Sequence, residues 1–163
     1  MNFNRPQGIK PEALFVYGTL RKNHPGPLAH WLNGHAVWVG GGFFQGLLYE
    51  IDHYPGAIPS NNPKHLIAGD IFHLPRPGRV LKMLDDYEEC SANYPRPHEY
   101  KRLRQNVLLP GGGALSAWIY LYNLPVRSFE LIPSGDYALH AKNKRGSFKG
   151  SLKGQCGNNL NFR

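Results

Sequence analysis

Leu81-Lys-Met-Leu-Asp-Asp-Tyr-Glu-Glu-Cys90 reads as a short amphipathic helix that carries one acid on its apolar side. At about 100° per residue, Val80, Leu81, Met83, Leu84 and Tyr87 form one stripe, with Glu88 roughly 70° from its centre. Asp85, Asp86 and Glu89 fall roughly 130° or more away and are expected in water. A helix that seats this stripe on a core turns Glu88 inward, where a carboxylate without a partner is costly.

Two effects then act on Glu88 in the same direction. Burial disfavours its charged form, and a place in the last helical turn sets it near the negative end of the helix dipole. A carboxylate whose proton affinity is raised in this way is a usable general base near neutral pH. The plainer alternative is a Glu88 that reaches solvent at the helix edge or pairs with an arginine.

The rest of the chain supplies the core for that helix. Its 163 residues are one domain's worth, and 41% apolar with 12% aromatic content is globular. Nineteen glycines and 14 prolines among many short apolar runs favour strands and turns over a helix bundle. No apolar run approaches spanning length, and Met1 to Lys10 lacks the apolar region of a secretory signal. Cys90 and Cys156 have no framework spacing, which points to a reducing cytoplasm; the scattered histidines form no metal motif, so neither metal nor cofactor is expected. The net charge of +8 is local: residues 140–163 hold six of the 19 basic residues and no acid, leaving 13 basic against 11 acidic elsewhere. That segment is expected as a flexible tail, able at most to touch RNA or an acidic surface weakly.

Outward from the helix, the chain divides into a polar leader over 1–12, a domain over 13–140 and the basic tail over 141–163. Ala13 to Tyr17 is a strand that breaks at Gly18-Thr-Leu-Arg21, and Gly26 to Gly34 is a short helix with Pro27 near its start. His35 to Ile51 is two strands or one strongly bent strand, Tyr54 to Ser60 a turn, and Leu66 to Leu74 a strand. His98 to Leu109 and Ala114 to Tyr122 flank the Pro110-Gly-Gly-Gly113 turn as a hairpin, and Ser128 to His140 is the last ordered piece. The pattern predicts a mixed α/β or α+β architecture, a small curled sheet or barrel of mixed strands with one or two flanking helices.

The Tyr17-Gly-Thr-Leu20 break has its own chemistry. Gly18 permits positive φ, and successive backbone N–H groups in such a turn converge into an anion nest for a carboxylate or oxyanion. Val16-Tyr-Gly-Thr-Leu-Arg21, the Tyr54-Pro-Gly-Ala loop and Leu84-Asp-Asp-Tyr-Glu-Glu-Cys-Ser-Ala-Asn-Tyr94, in that order, resemble the gamma-glutamylcyclotransferase-like family, and most of all its gamma-glutamylamine cyclotransferase branch. The resemblance covers about residues 13–140. It implies a cofactor-independent enzyme that cleaves a small gamma-glutamyl amide by intramolecular amine attack, releasing 5-oxoproline and a free amine. Tyr17, Gly18, Thr19 and Leu20 would hold the gamma-glutamyl moiety, Glu88 would accept the proton, and Tyr94 and Tyr137 match further aromatic positions. The identity of the departing amine and the oligomeric state stay open. Two rival readings are a hydrolase using Cys90 as nucleophile and a non-catalytic binding module of the same fold.

Overall fold

A computed structural model describes residues 11–153 of the chain. Five strands close a barrel in the order β2 (Val37–Glu50), β4 (Leu66–His73), β1 (Ala13–Val16), β6 (Ala114–Tyr122) and β5 (Tyr100–Leu108), with β5 returning to β2. The sheet is mixed, because β1 runs parallel to β6 while its other partner β4 is antiparallel. Short strands β3 (Pro55–Pro59) and β7 (Glu130–Leu131) add to β2, and helices α1 (Pro27–His35), α2 (Pro77–Tyr87) and α3 (Tyr137–Lys153) flank the barrel.

Strand alternation sorts the core into two halves. Phe15 and Tyr17 at the end of β1 and Ala117, Ile119 and Leu121 of β6 fill one cluster with Phe44, Ile67 and Ile71. Leu14 and Val16, with Tyr120 and Tyr122, face the other cluster, which contains Leu32 of α1 and Val80, Leu81 and Leu84 of α2. A strand covered on both sides has no polar positions, which is why Ala13 to Val16 is a continuous apolar run.

Between the two alternatives open for His35 to Ile51, the chain takes one long strand, whose register slips between Trp38 and Gly40. Other expectations are corrected. Tyr54 to Ser60 is no simple turn: Pro55 to Ile58 pair with Glu50 back to Leu47, and prolines bound the strand at both ends, where a missing N–H is tolerated. On α2, Met83 and Tyr87 are exposed and the buried face is Val80, Leu81 and Leu84, so the helix is rolled away from the expected stripe centre. That roll carries Asp85 inward, where it meets Arg102 and Tyr120.

Three helices flank the barrel. Beyond residue 140, where a flexible tail was expected, α3 continues to Lys153 because its first turns are anchored. His140 lies 3.0 Å from Glu50, Lys144 pairs with the same carboxylate, and the i, i+4 spacing puts both on one helix face. Residues 1–10 of the leader and 154–163 of the basic segment lie outside the described residues. Among the described residues no helix is long and apolar enough to cross a membrane, and no group of acids, histidines and cysteines could hold a metal ion.

Candidate active site

The loop after β1 and the C-terminal end of α2 open onto one cavity of about 520 Å³. Tyr17, Gly18, Thr19, Leu20 and Glu88 all line it, so the expected loop and the expected acid meet. Tyr94 and Tyr137 do not line it. Tyr94 stays in the segment before β5, where its carbonyl lies 3.3 Å from His98 Nε2. Tyr137 acts at one remove: its hydroxyl donates to the carbonyl of His53, a residue of the cavity rim, at 2.8 Å.

The helix end presents Glu88 in a defined way. Glu88 caps α2, and its N–H donates to the Leu84 carbonyl at 2.8 Å. Glu89 then takes the left-handed conformation, φ 52°, and the N–H groups of Glu89 and Cys90 return to the carbonyls of Asp86 and Asp85. This double closure is the Schellman motif, built here with glutamate where glycine is usual. Asp85 fixes the same turn from the side, accepting Arg102 Nε at 2.8 Å, Arg102 Nη2 at 3.1 Å and the Tyr120 hydroxyl at 2.7 Å. A carboxylate so satisfied tolerates partial burial.

Glu88 has no such relief. Among the described residues no hydrogen bond or ion pair reaches its carboxylate, which faces the cavity. Burial, with a smaller contribution from the negative charge of Glu99, pushes its proton affinity up from 4.5 to about 7. The expected direction is met. The larger cause is burial, as anticipated, but the second is a neighbouring acid that sequence reasoning did not single out.

The loop after β1 lines the same cavity as the acid. Among the described hydrogen bonds none is given by the N–H groups of Gly18, Thr19 or Leu20, whereas those of Arg21 and Lys22 are engaged by Gly18 O at 3.2 Å and by Asp70 Oδ2 at 3.0 Å. Three uncommitted amides on a cavity wall are suited to an anion. Gly18, however, is not among the residues with positive φ, a correction to the expected nest. Glycine is required there by contact, since a Cβ would lie 2.6 Å from Pro55 Cγ.

The other wall hangs from tyrosines. Tyr137 donates to His53 O, Tyr100 donates to Pro55 O at 2.8 Å, and the Ala57 N–H donates to the Tyr17 hydroxyl at 3.3 Å. Three hydroxyls from α3, β5 and the end of β1 thus fix every second residue at the start of β3. Tyr17 Oη itself donates to Tyr120 O at 2.6 Å, so Tyr17 offers the cavity backbone and its ring packs in the core. The loop is clamped in turn: Arg21 reaches Asp70 at 3.3 Å and Asp136 at 3.0 Å, and the same Asp136 oxygen caps α3 through the N–H groups of Ala138 and Leu139.

Sequence reasoning missed Tyr54, Glu99, Tyr100 and Tyr120 as cavity residues. The available signal was the alternation in Glu99-Tyr100 and Tyr120-Leu-Tyr122, which sends tyrosines to one face of a hairpin. Cys90 does not line the cavity, and burial, followed by the charge of Asp85, pushes its thiol up to about 11, which disfavours its use as a nucleophile.

Residues 14–139, which hold nearly all of the barrel with α1, α2 and only the start of α3, match the family described as gamma-glutamyl cyclotransferase, AIG2-like. The chain belongs to this family. The gamma-glutamylcyclotransferase family protein YtfP of Escherichia coli K12 is 33% identical over 124 residues, 76% of this chain and 94% of its own. The solution structure of the E. coli protein superposes with a TM-score of 0.52 over 77% of this chain and 95% of that one. The gamma-glutamylaminecyclotransferase of Bos taurus is 29% identical, covering 66% of this chain and 63% of its own length. An AIG2-like protein of Mus musculus shares the fold at 23% identity, with a TM-score of 0.60 over 78% of this chain and 88% of its own.

Proposed function

We propose that this family member is a cofactor-independent cyclotransferase that converts a small gamma-glutamyl amide into 5-oxoproline and a free amine. The carrying observation is that the half-buried carboxylate of Glu88, with no hydrogen-bond or ion-pair partner among the described residues, lines the same cavity as Gly18, Thr19 and Leu20, whose N–H groups give no described hydrogen bond. In the proposed cycle the amides of Gly18 to Leu20 receive the substrate α-carboxylate or the developing oxyanion. Glu88 accepts a proton from the α-ammonium, and the freed amine attacks the γ-carbonyl carbon of the same molecule. As the tetrahedral adduct collapses, Glu88 returns that proton to the departing amide nitrogen, the carbon–nitrogen bond to it breaks, and the ring nitrogen passes its second proton to the released amine, which leaves as an ammonium, so the five-membered lactam forms with no second reactant.

Intramolecular attack makes positioning the main demand on the protein, and proton transfer by Glu88 would add about 10²–10⁴ in rate. A carboxylate near pKa 7 is half ionised at neutral pH, so it both takes and gives a proton without a large free-energy gap. A cytoplasmic place of action belongs to the same proposal and rests on the cysteine usage alone.

Release of 5-oxoproline from a panel of gamma-glutamyl donors tests the reading. Glu88→Gln should abolish turnover while the fold is kept, and Glu89→Gln should leave turnover nearly unchanged. Turnover at the wild-type rate in the Glu88→Gln protein would refute the assignment.

A further inference from the structure

Among the described residues, the lysine, arginine, aspartate and glutamate side chains that line the cavity are all acids. Glu88, Glu89 and Glu99 line it, no lysine or arginine does, and none of the ion pairs among the described residues involves these three acids. His53 at the rim is 95% exposed on its side chain and faces Asp52. Glu88 is half-buried and assigned to the proton, which leaves Glu99 without a role.

Glu99 is held in place for one. Its carboxylate accepts the Tyr54 hydroxyl at 2.8 Å, its carbonyl accepts the Asn123 N–H at 2.7 Å, and Tyr54 packs against Tyr100 with ring centroids 6.4 Å apart. The cavity is closed at the Tyr17 end, where the side chain is buried, and open beside His53 and Tyr87, which is 52% exposed. A gamma-glutamyl head seated on the Gly18 to Leu20 amides therefore sends its departing amine toward the mouth, past Tyr54 and Glu99.

We propose that Glu99, oriented by Tyr54, is a specificity-determining residue that receives a cationic group on the departing amine, so that the site prefers gamma-glutamyl conjugates of diamines to gamma-glutamyl peptides. The inference rests on the cyclotransferase reading. Opposite charges attract at the mouth even where it meets solvent, whereas a carboxylate on the departing group would meet three acids and, among the described residues, no lysine or arginine. A neutral alkylamine of the same length falls between the two.

Three donors test this: the mono-gamma-glutamyl conjugate of diaminobutane, the gamma-glutamyl amide of butylamine, and gamma-glutamylglycine. Wild-type kcat/KM should fall in that order, by on the order of tenfold between the first and the last. Compared at a pH where Glu88 is ionised in both proteins, Glu99→Gln should lower kcat/KM for the diamine conjugate by a similar factor, mainly through KM, and lower it much less for the butylamide. Tyr54→Phe should give a smaller loss confined to the cationic donor. Equal rates for all three donors in the wild-type protein, or a Glu99→Gln loss shared by all three, would overturn the assignment. If Glu99→Gln does not fold, the wild-type donor series alone decides. A wild-type protein that releases 5-oxoproline from none of them sinks the cyclotransferase reading itself, an outcome visible as missing product and not as missing preference.

Discussion

A carboxylate kept half-dry without a partner weakens the protein that keeps it, and the penalty depends on pH in a way that Glu88→Gln exposes. Glu88 titrates at about 7 in the folded chain against 4.5 when unstructured. Because the folded state binds this proton more tightly, the favourable contribution is whole below pH 4.5 and is lost as pH rises through about 7. Complete loss is worth about 3 kcal/mol at roughly 1.4 kcal/mol per unit. Glutamine has the shape of the protonated acid and no titration, so wild type and Glu88→Gln should be about equally stable near pH 5. Near pH 8.5 the variant should be the more stable by about 3 kcal/mol, which for a chain of this size raises Tm by about 6–12 °C. Urea denaturation or calorimetry of both proteins at the two pH values measures the difference, and the eight histidines common to both cancel. A stability difference that is the same at both pH values would show that Glu88 is not buried without a partner.

Other consequences are more local. Removing the Glu99 charge removes the second cause of the raised Glu88 proton affinity, so the acidic limb of the kcat/KM–pH profile should move to lower pH in Glu99→Gln. Gly18→Ala drives a methyl group to 2.6 Å from Pro55 Cγ, and should cost at least about tenfold in kcat/KM with the protein still folded, read by turnover and circular dichroism together. Tyr137→Phe removes the hydroxyl that holds His53 O, and should cost about 1 kcal/mol in urea denaturation and raise KM more than it lowers kcat. With its thiol pushed up to about 11, Cys90 should alkylate slowly at neutral pH, and iodoacetamide labelling followed by mass spectrometry should find it largely unmodified before activity is affected.

Much of the architecture was legible in local pattern. The continuous run Ala13 to Val16 and the Pro110-Gly-Gly-Gly113 hairpin carry short-range signals and form where expected, whereas the helix expected over Leu81 to Cys90 runs from Pro77 to Tyr87. The closure of β5 onto β2 through Phe43 and Phe44 does not arise from any neighbouring residues in sequence, and periodicity is blind to it. Within the site, Glu88 and the Gly18 loop could be found because a lone acid beside apolar residues and a glycine after a strand are local anomalies. Asp85 was misplaced because its burial is offset by Arg102 and Tyr120, which come from two later strands. The helical extent of residues 141–153 was hidden for a related reason: a Gly- and Lys-rich segment has weak intrinsic helicity, and its anchor, Glu50, lies far upstream.

The fastening of both cavity walls by Asp136 and Tyr137 sets an order of events during synthesis. A ribosome delivers the amide loop and then the acid at position 88, yet the two ties that hold the opposing rims emerge only at positions 136 and 137. Until then the two walls are held only by the earlier ties through Asp70, Tyr100 and Tyr17. A stop codon between Tyr122 and Asp136 would therefore yield a product that keeps Glu88 and the Gly18 loop but lacks two of the ties that space the walls around them.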